Sequence, residues 1–382
     1  MMRAMKLAGS ELMFGTGCLE YIKTIAVKKA AIVVGGKSME KSGMLAKVES
    51  LFHEAGAQTS VVRGVEPDPS FGTVLRGAKE LLEFGPDLIV GLGGGSAMDA
   101  AKAMWIYYEH PELTTIEEIL PPNEFPKLRA KARLCCIPST SGTASEVSRS
   151  IVISDSGTGV KHGIGNMEMM PDIAVCDPEV TMSMPPHITA ETGMDAMTHA
   201  VEALVSQRAN YVSNILAAQA VKDIFAYLPL ACKDGADMQA REGMLNASMV
   251  AGLAFTNVSL GIVHSIAHTL GSYFHISHGL GDAVVLPYVI QFNQDRSQQA
   301  KEIYKGLAKA QGAEDFKETI LALNRKLDIT DKISSLLTEG QKEEYQGKIP
   351  ELADMALADG CTKTNPAIPT KAEMEELFRI IF

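Results

Sequence analysis

The first half of the chain alternates short apolar runs with longer amphipathic ones. Residues 30–34 (AAIVV), 59–65 (TSVVRGV), 87–95 (DLIVGLGGG) and 133–140 (RLCCIPST) are rich in β-branched or other apolar residues. Each is bounded by glycine, proline or small polar residues, so each predicts a strand. Between them, the spacing of Met44, Leu45, Val48, Leu51 and Phe52 predicts a helix, as does VLRGAKELLEFG (74–85). Strand–helix–strand alternation implies a parallel sheet with crossover helices. Around residues 182–190 the texture changes. MSMPPHITA carries a double proline, and helical periodicity dominates from there on. The pattern therefore predicts an α/β domain with a parallel sheet over residues 1–185 and an all-α domain over residues 186–382.

Two stretches of the helical half carry unexpected polar groups. In GMDAMTHAVEAL (193–204), Asp195 and His199 stand four residues apart. On a helix that spacing puts both on one face, one turn apart. A solvated face would explain them, and so would half of a metal site. The second stretch runs from Ala251 to Ile290. Its only formal charge is Asp282, where the chain-wide 21% would give about eight charged residues in forty. Such a segment belongs in an interior. Yet it holds His264, His268, His275 and His278, four of the nine histidines of the chain. Burying several unpaired imidazoles is costly, and a cation offers one partner to all of them. Three imidazoles and one carboxylate suit Fe(II) or Zn(II), with a position left for a substrate oxygen.

Composition narrows the partners. The net charge of −11 argues against nucleic acid and against anionic lipid surfaces. Small molecules remain. The six cysteines are scattered without a CxxC pair, which argues against a disulfide framework or a thiolate-held zinc. No apolar run approaches the ~18–20 residues of a membrane span. The N-terminal residues lack the apolar core of a signal peptide. A cytoplasmic protein is expected.

The glycines add a cofactor. DLIVGLGGGSAMDAAKAM (87–104) reads as strand, tight turn and helix, with Ser96 as the expected N-cap and Asp99 closing a variant capping box. The free N–H groups and positive dipole end of such a helix suit a pyrophosphate. A second cluster, PSTSGTASE (138–146), places Ser139, Thr140, Ser141 and Thr143 after another strand. Two such clusters at the carboxyl ends of parallel strands favour a dinucleotide.

These motifs also match a known family. FGTG (14–17), EPDPS (66–70), GLGGGSAMDAAKA (91–103), PSTSGTASEV (138–147), PDIAVCDPEVT (171–181), GMDAMTHAVEALVS (193–206) and HSIAHTLGSYFHISHGL (264–280) resemble the iron-containing (group III) alcohol dehydrogenases of the dehydroquinate synthase-like fold. The resemblance runs nearly end to end. It implies a dinucleotide-binding α/β domain, a helical metal-binding domain and an active site in the cleft between them. By position it implies Asp195, His199, His264 and His278 as metal ligands, with iron expected and zinc the alternative. His268 matches a histidine beside the metal and is the expected proton relay. His275 matches no family role and is expected to be structural. Gly95 and Ser96 would meet the pyrophosphate, Ser139, Thr140 and Thr143 the nicotinamide side, and Lys161 the ribose.

In this family the residue after the first strand faces the adenine ribose, and an acid there favours NAD. Here Gly36 takes that place, followed by Lys37 and Ser38, so NADP is expected over NAD. The implied reaction is hydride transfer between a nicotinamide cofactor and a small primary alcohol or aldehyde. Phe255 and the 148–152 loop are candidate pocket-lining positions. Homo-oligomers are expected. The competing readings are a dehydroquinate synthase-like lyase and a non-catalytic paralogue of the same fold.

Overall fold

The apolar runs of the first half assemble into one parallel sheet. A computed structural model describes residues 5–155 and 161–382, which divide into two units, Met1–Met184 and Pro185–Phe382. The strands of the first unit are β1 (Glu11–Phe14), β2 (Lys29–Gly35), β3 (Gln58–Val65), β4 (Leu88–Gly93), β5 (Arg133–Pro138), β6 (Ser150–Ser154), β7 (Lys161–Gly165) and β8 (Ile173–Cys176). Six of them pair in parallel in the order β1-β8-β5-β4-β2-β3, while β6 and β7 form a separate antiparallel pair. The periodicity anticipated four sheet strands. It missed β1 and β8, whose four residues are too few to show a pattern.

The strand order places a site. From β2 the chain steps outward to β3, then crosses back to lay β4 on the other side of β2. The helices after β2 and β4 therefore leave on opposite sides of a switch point, where the loops part and a crevice opens. Those loops are Gly36-Lys37 and Gly94, the glycine-rich ends read from the sequence.

The helices of this unit are α1 (Ser38–Lys41), α2 (Met44–Glu54), α3 (Phe71–Phe84) and α4 (Gly95–Glu109). On one face of the sheet Ala31, Val33 and Ile89 pack with Val74, Leu81, Met98 and Trp105 of α3 and α4. On the other, Ile32, Val34, Val90 and Leu92 pack with Val48, Leu51 and Phe52 of α2. Burial on both faces explains why β2 and β4 read as unbroken apolar runs rather than alternating ones.

The second unit is built from α5 (Pro186–Val205), α6 (Tyr211–Lys233), α7 (Met238–Val258), α8 (Ile262–Phe274), α9 (His278–Arg296), α10 (Gln298–Ala310), α11 (Phe316–Lys326), α12 (Glu339–Ala358) and α13 (Lys371–Ile381). Helix α6 is long and apolar enough to cross a bilayer by length and composition. It carries Lys222 and Asp223 midway and packs against α5 and α7. The charge-poor stretch becomes the end of α7, all of α8 and the first half of α9. Most of it is buried, as expected. His275 and Ser277 are exposed, and His275 caps α8 in the left-handed region, with φ of 58°.

The single tryptophan tests the packing of the first unit. Trp105 is fully buried, donates Nε1–H to the Ala132 carbonyl at 3.0 Å, and lies under the Arg129 guanidinium. Trp105→Ala should destabilise this unit by about 3–5 kcal/mol. The expected readout is an earlier urea transition by circular dichroism. An unchanged midpoint would show that the sheet does not depend on this contact.

Candidate active site

The two chemical clusters lie in different units. In the first, β4 ends at Gly93 and α4 begins at Gly95. The expected capping by Ser96 does not occur. Gly94 is the N-cap residue, with no side-chain cap, and Ser96 is already in the first turn. Its Oγ instead accepts from the Asp68 N–H at 3.3 Å. Asp99 does not close a box either: it accepts from Ser145 Oγ at 2.7 Å and Val152 N–H at 3.0 Å. The physical reason is close packing. A Cβ on Gly94 would sit 3.2 Å from Thr140 Cγ2, and one on Gly95 would sit 2.8 Å from Thr143 Cγ2. Glycine lets the hydroxyl loop seat on the turn and leaves the first helical N–H groups without a side-chain cap.

The two sequence clusters thus become one cradle. Ser139 N–H donates to the Gly93 carbonyl at 2.8 Å. Thr140 Oγ1 and Ser141 Oγ are buried and have no hydrogen-bond partner in the protein. Unpartnered hydroxyls beside an open helix N-terminus fit a polar ligand with a phosphate group. Lys161 Nζ reaches Asp68 Oδ2 at 2.6 Å, so it stands beside the turn that holds Ser96. Gly36, at the end of β2, has φ of 39°, and a Cβ there would meet nothing within 4 Å. Ser38 opens α1 and is exposed.

Residues 148–152, taken from sequence as a pocket loop, are mostly strand. Lys102, fully buried on α4, donates from Nζ to the Ser148 and Ser150 carbonyls at 2.9 and 3.1 Å and pins them. That satisfies a buried ammonium rather than a ligand.

In the second unit α5 supplies Asp195 and His199, α8 supplies His264, and α9 opens with His278. His199 Nε2 lies 3.4 Å from Asp195 Oδ1, and the Nε2 atoms of His278 and His264 lie 3.7 and 3.8 Å from it. A fifth group joins them. Asp282, one turn into α9, brings Oδ2 within 3.2 Å of His278 Nε2 and 3.8 Å of His264 Nε2. The donor atoms of Asp195, His264, His278 and Asp282 all fall within 4.8 Å of one another. Ligands held about 2.0–2.2 Å from one ion stand at such separations. Sequence reasoning left Asp282 out of the cluster. Its being the only charge in forty residues was the signal.

Burial decides the protonation of this cluster. It holds the His264 imidazole well below its usual pKa, which keeps the ring neutral as a ligand must be. It pushes Asp195 upward, and Asp282 more strongly, where the charges of Asp195 and Glu202 add to it. Asp195 Oδ1, His264 Nε2 and both Asp282 oxygens are buried without a hydrogen-bond partner. Orphaned acceptors on three residues of one donor cluster fit a cation.

The surroundings orient the ligands. Glu202, buried one turn beyond His199, accepts from Gly261 N–H at 2.8 Å, Val263 N–H at 2.7 Å and His264 Nδ1 at 2.7 Å. With Nδ1 donating, Nε2 presents its lone pair to the site. Burial pushes the Glu202 carboxyl up to about 8 against these donors. Phe255, also expected to line a pocket, is buried and stacks on His199 with centroids 4.3 Å apart. It fixes the His199 ring instead. His268 stands just outside. Its Nδ1 meets Asp359 Oδ2 at 2.9 Å, its ring stacks on His278, and its side chain is 31% exposed. Burial opposes ionisation of Asp359, but hydrogen bonding and charge from His268 outweigh it and hold the carboxyl well below its usual range.

Residues 9–178 match the iron-containing alcohol dehydrogenase family, and residues 189–382 match the C-terminal part of the Fe-containing alcohol dehydrogenase family. The chain belongs to the iron-containing alcohol dehydrogenase family. It is 42% identical over 376 residues to the NADPH-dependent butanol dehydrogenase of Clostridium saccharobutylicum, covering 97% of this chain and 96% of that one. It is 36% identical over 379 residues to the 1-propanol dehydrogenase of Citrobacter freundii, covering 96% and 97%. The solved iron-containing alcohol dehydrogenase of Thermococcus thioreducens superposes with a TM-score of 0.91 at 33% identity, covering 99% of each chain. The chain also matches aldehyde-alcohol dehydrogenases, of which it spans about half the length.

Glu202 gives this site a test that does not depend on turnover. Glu202→Gln keeps the shape but replaces one of the two accepting oxygens that align His264 and the start of α8 with an N–H donor. Metal affinity should fall about 10–100-fold in chelator competition. Wild-type affinity in the variant would mean that the carboxylate only packs.

Proposed function

We propose that this metal-dependent alcohol dehydrogenase interconverts a small primary alcohol and its aldehyde, with Fe(II) as the metal and NADP(H) preferred over NAD(H). The observation that carries the reading is the approach of the Nε2 atoms of His199, His264 and His278 to within 3.8 Å of the buried Asp195 Oδ1. A divalent ion held there would act as a Lewis acid on a carbonyl or alcohol oxygen while hydride passes to or from the nicotinamide. The chain's own residues do the rest. Glu202 and Phe255 hold the ligand rings. The N–H groups at Gly95 and Ser96 take the pyrophosphate, and Ser139, Thr140 and Thr143 line the nicotinamide side. Lys161 stands near the ribose. His268, paired with Asp359 and open to water, passes the proton that balances the hydride.

Substrate class is supported by relatives named for butanol and 1-propanol. A dehydroquinate synthase-like lyase or a non-catalytic paralogue is not favoured beside them. NADP is supported by two points. The relative at 42% identity is named NADPH-dependent. Gly36 leaves open space where an acid would repel a 2′-phosphate, with Lys37 and Ser38 beside it. Iron is supported by the family to which both halves match. Self-association belongs to the same proposal, since β1 is an edge strand and its Phe14 is 58% exposed. So does a cytoplasmic location, which fits six cysteines outside any disulfide.

Two measurements test this reading. His264→Ala and His278→Ala should each lower kcat/KM for aldehyde reduction more than about 100-fold, beyond what loss of a supporting group costs. Circular dichroism should stay unchanged, and anaerobic Fe(II) should restore wild-type apoprotein. Near-full activity in chelated His264→Ala would refute metal dependence. The ratio of kcat/KM for NADPH over NADH should exceed one and fall in Gly36→Asp, since the new carboxylate would repel the phosphate. A wild-type preference for NADH would overturn the cofactor assignment.

A further inference from the structure

We propose that Asp282 is a fifth metal-binding side chain of this protein, which gives the site a second carboxylate beside Asp195 and the three histidines. The inference rests on the metal-dependent reading above and adds to it.

Geometry places Asp282 in the site. Four residues after His278 on α9, it projects from the same helix face one turn on. Oδ2 lies 3.2 Å from His278 Nε2 and 3.8 Å from His264 Nε2. With bonds of about 2.0–2.2 Å, two ligands of one ion stand about 3–4 Å apart. The side chain is fully buried, at 0% exposure, and among the described residues its carboxylate oxygens have no hydrogen-bond donor outside the cluster itself. A carboxyl that served packing or helix capping would meet a donor. This one meets the other members of the cluster, Asp195 and the ring nitrogens of His264 and His278.

Charge arithmetic points the same way. Two carboxylates balance a divalent ion when the three imidazoles are neutral. A site without net charge is the cheaper one to bury. The donor set also affects metal choice. Zinc prefers four ligands in structural sites. Iron(II) and Mn(II) accept five or six, and carboxylate oxygens suit the harder ions. Asp282 therefore narrows the advantage that zinc holds at a plain four-ligand site.

The decisive experiment is metal binding by the full chain, not turnover. Wild type and Asp282→Asn are stripped of metal and titrated anaerobically with Fe(II), and separately with Zn(II), against a competing chelator. Asp282→Asn should bind Fe(II) more than about 100-fold more weakly, beyond what loss of a supporting group costs. Its loss for Zn(II) should be smaller. A smaller loss for Fe(II) would overturn the inference, because Asp282 would then only support its neighbours or keep its proton and bond to Asp195. An equal loss for both metals would keep the ligand and overturn its part in metal choice. Should Asp282→Asn fail to fold, Asp282→Ser is titrated in the same way, and the same two outcomes decide. Wild type that retains no divalent metal would instead overturn the metal-dependent reading itself.

Discussion

Buried charge is the constraint on which the helical unit depends. Asp195, Glu202 and Asp282 are carboxyl groups packed among apolar helices with almost no exposure. Isolated, each would cost several kcal/mol to bury as an anion. Glu202 is relieved by three N–H donors. Asp195 and Asp282 have imidazoles for neighbours and one common point to face. The backbone is shaped to make this happen. A Cβ on Gly261 would stand 2.8 Å from Glu202 Oε1, and one on Gly279 would stand 2.3 Å from the Glu191 carbonyl. Glycine at the first place lets Glu202 reach the start of α8. At the second it lets α9 begin against α5, with His278 directed inward. Ligand geometry is therefore written in the residues beside the ligands as much as in the ligands.

The sheet unit solves the opposite problem. It must leave polar groups unsatisfied until a ligand arrives. Gly94 and Gly95 admit Thr140 and Thr143, and no side chain caps the first turn of α4. Had Ser96 capped the helix, it would have spent one of the N–H groups a phosphate needs. The strand order adds the opening, because β2 and β4 part at a switch point. Lys102 and Asp99 then tie the second loop and β6 to α4, so the cradle rests on a rigid element.

How much of this was legible depends on period and range. Asp195 and His199 could be paired from sequence because helical spacing alone puts them on one face. His264 and His268 have the same spacing, yet only His264 enters the cluster, since what lies across the face is a tertiary matter. Asp282 announced itself as a lone charge in an apolar run, but one charge reads equally well as a helix surface. Only the arrival of α5 and α8 beside it removes that reading. The capping error at Ser96 has the same source: a capping box is a local rule, and here Gly94 and the packing of Thr143 override it. Strands β1 and β8 escaped because four residues cannot display a period. Phe255 looked like a pocket wall because an aromatic in an apolar run carries no mark of its partner, which is His199.

The two histidine–carboxylate pairs show how environment divides one chemistry into two tasks. His264 with Glu202 and His268 with Asp359 are built alike, each Nδ1 facing a carboxylate at 2.7 and 2.9 Å. They differ in access to water. His264 is 1% exposed, and burial keeps its ring neutral, so the pair can only aim a lone pair. His268 is 31% exposed, and its partner Asp359 is held ionised by the contact. Its ring is held in place by a carboxylate and is still reached by water. In the proposed reaction a hydride moves each turnover, and a proton must follow it to or from water. His264, 1% exposed, cannot serve that need, and His268 can.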